Sequence, residues 1–456
     1  MTQKAGNLLQ GKLWKQVLLF ALPIAATSML QQLFNSADMA VVGRFSSGQA
    51  LAAVGSTSAI INLCINIFTG LSVGANVQIA RSIGEGDIEK TKQSVHTALI
   101  MSVISGAVLM VLGEIFARPL LEIMGTPADI IGLARRYLQI YLLGTIFLMV
   151  YNFEAAILRA SGDSRKPLYC LCFSGVLNLG LNLFFVIVCK MGVIGVAVAT
   201  LIADAVNAGL LFYFLLKTNS VVRVRISELK LNRRLCKIMY SIGLPAAAQG
   251  ALFNISNIII QSGLNSLGSA VVAASTIAIN AEIFVYYLIN GFGQAAVTFN
   301  SQNLGAGNVK RCRQATRWCL LLGGILTEGF VLLLVFNSRR FAGIFATDEQ
   351  IITIAAFRMQ YILIFELFNM ITEIVSGALR GLGHSALPAV LSIIFVCGIR
   401  VFWVFVIFSS QGTFQTLINV YPISWIAAAV SITAAYLYIS RKINKNIGLP
   451  ANSNTM

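Results

Sequence analysis

Charge is what this chain has least of: of its 456 residues only 11% are Asp, Glu, Lys or Arg, against 57% apolar ones, and just 17 are acidic. A soluble fold of that composition would lack the polar surface to cover itself, so a polytopic membrane protein is implied. Histidine is scarcer still, with only His96 and His384, which lie far apart in the sequence. Neither an HExxH run, nor a paired His/acid cluster, nor a phosphate-binding P-loop occurs. A membrane-embedded enzyme or an ATP-driven pump therefore has no obvious residues to run on, and the expectation is a non-enzyme without cofactor. The eight cysteines make no metal or disulfide framework: Cys64, Cys170, Cys172, Cys189, Cys319 and Cys397 fall in or at the ends of apolar stretches, with Cys236 and Cys312 near basic loops. They read as small packing residues.

What is present is apolar sequence in long stretches. Crossing about 30 Å of hydrocarbon takes about 20 helical residues. Stretches of that length recur near 15–42, 50–79, 93–117, 130–158, 167–190 and 193–217, and again near 236–264, 270–300, 314–337, 350–379, 386–408 and 415–440. The expected fold is an all-α polytopic membrane protein with twelve transmembrane helices. Six spans per half is an even number, so the second half re-enters in the orientation of the first and the two six-helix repeats are parallel. The domain boundaries expected are an amino-terminal lobe over 1–217, a basic linker over 218–235 and a carboxyl-terminal lobe over 236–456.

The net charge of +16 needs no nucleic-acid partner, because 24 of the 33 Lys and Arg fall on the termini and even-numbered loops. By the positive-inside rule both termini are cytoplasmic. The other nine are Arg44, Arg118, Arg135, Arg136, Lys190, Arg339, Arg340 and Arg358, expected on or near the outside, and Arg400 inside a span. The first apolar stretch is longer than a signal h-region and lacks a clear cleavage site, so a multi-pass protein of the plasma membrane, a bacterial inner membrane, is expected. The linker's Arg223, Arg225, Lys230, Arg233 and Arg234 suit a surface segment beside anionic headgroups.

The halves repeat each other 221 residues apart: Ile83-Gly84-Glu85-Gly86-Asp87 is answered by Leu304-Gly305-Ala306-Gly307-Asn308, and Leu158-Arg159-Ala160-Ser161-Gly162 by Leu379-Arg380-Gly381-Leu382-Gly383. Ala21-Leu22-Pro23 and Gly243-Leu244-Pro245 open the two halves. Duplicated membrane bundles of this kind are the build of secondary transporters.

Eight acidic residues fall in or at the edge of spans: Asp38, Glu114, Glu154, Asp204, Glu282, Glu328, Glu366 and Glu373. At bilayer depth such groups face a bundle interior or an aqueous cavity, or pair with another group. Helical spacing groups several polar residues on shared faces: Gln31, Asn35 and Asp38; Asn178 and Asn182; Thr200, Asp204 and Asn207; Asn254, Asn257 and Gln261; Glu366, Asn369 and Glu373. These faces serve either a transport path or helix–helix hydrogen bonding. Arg400 at depth calls for a partner, and Glu366 or Glu373 is the expected one.

The order of Asp38 followed by Val41-Val42-Gly43-Arg44, the Gln302-Asn303-Leu304-Gly305-Ala306-Gly307-Asn308 segment, the paired Leu-Arg-x-x-Gly loops and Gly192-Val193-Ile194-Gly195-Val196-Ala197-Val198-Ala199-Thr200 resembles the multidrug and toxic compound extrusion family along nearly the whole chain. The resemblance implies two six-helix lobes around a central cavity that opens alternately to either side. It implies export of small cationic, amphipathic compounds in exchange for protons or sodium, with membrane lipid as the other partner. On matching positions Asp38 becomes the coupling carboxylate, with Asn178, Asn182 and Thr200 around it as ion-coupling or sodium-holding groups. Many relatives carry an acid where this chain has Asn182, and an Asn offers a carbonyl oxygen but takes up no proton. Gln31, Asn35, Glu154, Asn254, Asn257, Gln261, Glu282 and Glu373 are substrate-cavity candidates, Glu282 as an attractor of cations and Phe34, Phe153, Phe284, Tyr286 and Tyr287 as aromatic walls. A flippase for a lipid-linked saccharide is the alternative, and it would favour a strongly basic cavity rather than acids and amides.

Overall fold

The two most closely repeated segments turn out to be helix boundaries. In the computed structural model, which describes residues 8–46 and 48–446, Gly86 and Gly307 both adopt φ +72°, a left-handed conformation that a side chain disfavours. Around each, the chain folds back in one pattern: Gly86 N–H to the Ile83 carbonyl at 3.1 Å and Gly307 N–H to the Leu304 carbonyl at 3.0 Å, then Asp87 N–H to Ser82 and Asn308 N–H to Asn303. The next residue caps the following helix, Asp87 accepting from Lys90 N–H at 2.8 Å and Asn308 from Arg311 N–H at 3.0 Å. The repeat written in the sequence is therefore a stop-and-restart device for helices, an αL glycine followed by an N-cap.

Every regular element among the described residues is helical. The first half contains α1 (Leu13–Phe45), α2 (Gly48–Glu85), α3 (Ile88–Ile123), α4 (Ile131–Leu143), α5 (Thr145–Ala160), α6 (Arg165–Leu183) and α7 (Gly192–Lys217). The second contains α8 (Arg233–Ser266), α9 (Ser269–Gly305), α10 (Val309–Phe336), α11 (Ser338–Phe345), α12 (Glu349–Leu363), α13 (Glu366–Gly381), α14 (Ala386–Ser392), α15 (Ile399–Phe402), α16 (Ser409–Gln411), α17 (Phe414–Ile418) and α18 (Val420–Asn446). Ten helical stretches are each long and apolar enough to cross a membrane, and two bent pairs complete twelve: α4 with α5 at 42° and α12 with α13 at 47°. The bends fall on the fourth span of each half. Helix α6 continues through a π-helical turn over Phe184–Val188, and the stretch from α14 to α16 carries two more, Ile393–Gly398 and Trp403–Phe408.

By packing, the described chain divides into two units: Ala26–Ala247, and Leu8–Ala25 together with Ala248 onward. The division falls inside α1 and α8, not at the loop over 218–232. Each of these helices contains a proline just before its change of unit, Pro23 and Pro245, where a backbone hydrogen bond is missing and a helix turns aside at low cost. Within the first unit, the start of α8 packs on α2 and α3, with Tyr240 and Ser105 sharing a 2.8 Å hydroxyl hydrogen bond. Its preceding loop is tied down too: Arg225 N–H donates to His96 Nε2 at 3.3 Å, Asn232 N–H to Thr97 Oγ1 at 3.1 Å, and Val222 and Val224 are buried. Arg225 also donates to Glu228 at 2.8 Å and holds that exposed carboxyl below the usual range.

Within the second unit, the opening of α1 docks on α9, where Phe20 meets Phe299 edge-on at 5.7 Å. The guanidinium of Arg311 on α10 grips the preceding turn, donating to the Leu8 carbonyl at 3.2 Å, the Gly11 carbonyl at 3.3 Å and Gln16 Oε1 at 3.1 Å. Charge-assisted bonds of this type contribute about 2 kcal/mol each at most when half-buried. Arg311→Ala is expected to raise deuterium uptake over residues 8–16 several-fold, with other segments unchanged. Equal uptake in both proteins would show that the turn is held by packing alone.

Candidate functional site

Three helices of the first unit bring Asp38, Asn178, Asn182 and Thr200 together. On α1, Val41 and Val42 are buried and fix the face on which Asp38 projects one turn earlier. On α6, Asn178 and Asn182 stand one turn apart on the buried face. One turn before them Gly175 meets the Phe34 ring so closely that a Cβ would overlap it. The missing side chain lets α1 and α6 approach within reach of one hydrogen bond.

Asn182 Nδ2 donates to Asp38 Oδ1 at 2.5 Å and to Asn178 Oδ1 at 3.1 Å. Asn178 Nδ2 reaches Thr200 Oγ1 at 3.4 Å, and that hydroxyl, bonded to the Val196 carbonyl at 3.0 Å, lies 3.5 Å from Asp38 Oδ2. Asn182 is fully buried, and its Oδ1 has no hydrogen-bond partner among the described residues. Asp204, one turn beyond Thr200 on α7, and Tyr137 on α4 are within electrostatic reach of Asp38. The sequence offered no signal for Tyr137, which follows Arg135 and Arg136 and stands one turn before Tyr141. Gln31 is half-buried and Asn35 exposed on the preceding turns of α1, and neither joins the bonded ring.

The polar residues of the second unit are arranged differently from the expectation. Glu282 does not stand free for a cation: it is gripped by Arg358, whose Nε and Nη2 approach its two oxygens at 2.9 and 3.2 Å. Arg358, expected near the outside, is fully buried, because its partner carboxylate and the Tyr421 ring, 5.4 Å away, replace its hydration. Neither acid expected to pair with Arg400 does so. Glu373 pairs with Arg380 of the Leu-Arg-x-x-Gly loop at 3.4 Å, and Glu366 accepts from Asn369 at 2.8 Å. Arg380 is further held by Gln249 at 2.9 Å. Arg400 instead donates to Asn257 Oδ1 at 2.7 Å and stacks on Phe253 and Tyr421.

The amide stripe on α8 is split in use, since Asn257 serves Arg400 while Gln261 donates to Asn265 at 2.9 Å and Asn254 Nδ2 is buried with no partner among the described residues. Glu154 and Phe153 are wholly buried in the apolar interior of the first unit and line no accessible surface. Helical spacing alone did not distinguish that interior from a cavity wall.

The MatE family profile matches residues 23–184 and again 245–406, two copies that together cover most of the chain. The chain belongs to the MatE family. Among its relatives are a probable multidrug resistance protein, YoeA, of Bacillus subtilis, 28% identical over 94% of this chain and 94% of that protein, and an FAD transporter of Shewanella oneidensis, 25% identical over 78% and 79%. A solved outward-facing multidrug resistance MATE transporter shares the fold, with a TM-score of 0.89 at 22% identity over 98% of this chain and 100% of the other. This MatE protein is thus a multi-pass membrane transporter. The ring around Asp38 has no like counterpart in the second unit.

Proposed function

We propose that this MatE transporter is a secondary-active antiporter that expels cationic, amphipathic compounds in exchange for protons or sodium by alternating access. It works in the plasma membrane with both termini cytoplasmic. The observation that carries the reading is the ring of Asp38, Asn178, Asn182 and Thr200. A carboxylate held by one amide and a hydroxyl, with a second amide behind them, has two uses for a cation.

One is to take up a proton, which removes the charge that Asn182 and Thr200 now stabilise. The other is to hold sodium, a hard ion that takes oxygen ligands, and the ring's donor set fits it. Asp38 supplies the one negative charge, Asn178 and Thr200 neutral oxygens, and the unpartnered Asn182 Oδ1 a further carbonyl oxygen. In either case the ion must favour one conformation over the other, or no coupling follows. Gln31 and Asn35, on the same helix as Asp38, are the uncommitted candidates for substrate contact, whereas Glu282 and Glu373 are neutralised by arginines.

The test is efflux of a fluorescent lipophilic cation from proteoliposomes under separately imposed proton and sodium gradients. The gradient that drives efflux names the ion, and movement under neither would end this reading. Asn182→Asp supplies a second carboxylate at the ring, and ligand charge tunes the affinity of oxygen sites. That variant is expected to bind sodium about tenfold more tightly, a change of ~1.4 kcal/mol, as read from the sodium concentration giving half-maximal efflux. An unchanged half-maximal concentration would remove sodium from the ring.

A further inference from the structure

We propose that Arg400, in the second unit, is a binding site for a small monoanion, a halide or a carboxylate group. Its side chain is fully buried, and the guanidinium lies between two rings, 4.7 Å from the centroid of Phe253 and 4.9 Å from that of Tyr421. Aromatic faces attract the cation but accept no in-plane hydrogen bond. That leaves the edges of the fork. One edge is used, Nη1 donating to Asn257 Oδ1 at 2.7 Å. Nε and Nη2 are buried with no partner among the described residues, and these two atoms form the side-on edge that grips a carboxylate with two parallel N–H bonds.

The nearby charges do not fill that edge. Glu282 and Glu366 lie within electrostatic reach of Arg400, as do Cys397 and Tyr421. Glu282 gives both oxygens to Arg358, and Glu366 accepts from Asn369. Other buried side-chain atoms beside Tyr421 or on the α8 stripe that have no partner among the described residues are donors too: Arg358 Nη1, Trp425 Nε1 and Asn254 Nδ2. Trp425 packs on Tyr421 at 5.6 Å, and Asn254 sits one turn before Asn257. These unpartnered donors call for a ligand made only of acceptors.

Leaving a charged donor unsatisfied in a buried place is costly, and an anion bound to Nε and Nη2 removes that cost. The free side-on edge of one guanidinium matches one halide or one carboxylate. Position supports it as well. Arg400 is flanked on both sides by π-helical turns, which recur at functional sites. The inference stands apart from cation coupling at Asp38 and survives its failure.

The test is the thermal midpoint of the purified full-length protein in potassium salts of equal ionic strength, with sulfate as reference. Chloride, bromide or acetate is expected to raise it saturably by several degrees, and Arg400→Gln to abolish that dependence. Stabilisation by halides identifies a free inorganic ion, and stabilisation by carboxylates alone identifies a carboxylate-bearing ligand. Should Arg400→Gln fail to fold, crystals of the unmodified protein grown in bromide decide the matter by an anomalous peak against Nε and Nη2. No saturable rise in any of these salts, with no peak at Arg400, would overturn the proposal.

Discussion

Asp38→Asn is expected to stop gradient-driven efflux while the protein folds and inserts at normal abundance. The substitution keeps the shape of the side chain and its place against Asn182, 2.5 Å away, and the Asn182 amide turns about to present its oxygen. What is lost is the negative charge and the ability to exchange a proton. Coupling free energies of about 1–3 kcal/mol correspond to roughly 5–150-fold effects, so a fall of roughly 100-fold is the expected scale. Binding of the cationic compound by the purified variant should change far less than its transport. Efflux at the unmodified rate in Asp38→Asn would move the coupling elsewhere, with Asp204 the next carboxylate to test.

The second large effect concerns stability. Arg358 is wholly buried and Glu282 nearly so, their side chains 0% and 13% exposed, and the pair is closed by two bonds at 2.9 and 3.2 Å. Removing one partner leaves the other charge stranded, which costs about 3–5 kcal/mol in buried pairs. Arg358→Met is therefore expected to lower the thermal midpoint sharply and to reduce the monodisperse yield. Adding Glu282→Leu removes the stranded carboxylate, and the double variant should regain most of the loss. A double variant no more stable than Arg358→Met would show that the ion pair is not what Arg358 contributes.

Much of the architecture was legible because hydrophobic length is a direct physical demand of the bilayer, and the twofold match in the sequence fixed the repeat. Asp38, Asn178, Asn182 and Thr200 were legible as a group for two reasons. Helical spacing placed the amides on one face, and the family resemblance joined faces from different helices. The arginines were not legible. Positive-inside counting places Arg358 on or near the outside but says nothing of its burial, and nothing in its neighbourhood on α12 names Glu282 as its partner. Arg400 was recognised as deep, but its partner was sought among acids, and the structure gives it an amide and two rings. Partners drawn from separate helices leave no trace in spacing along one. The Leu-Arg-x-x-Gly loops had a similar fate in the other direction, since Arg380 reaches back to Glu373 and Gln249 and so anchors the end of α13.

The crossover within α1 and α8 also bears on biosynthesis. Residues 8–25 leave the ribosome before any other described part of the chain, yet their packing partners on α9 and α10 come more than two hundred residues later. Meanwhile the first unit cannot close until residues 233–247 have been made. A chain halted at the central loop would hold one unit short of a helix and one helix short of a unit. A single-copy ancestor built on this plan could complete itself only by trading opening segments with a second molecule. The first described segment to be made is among the last to be placed.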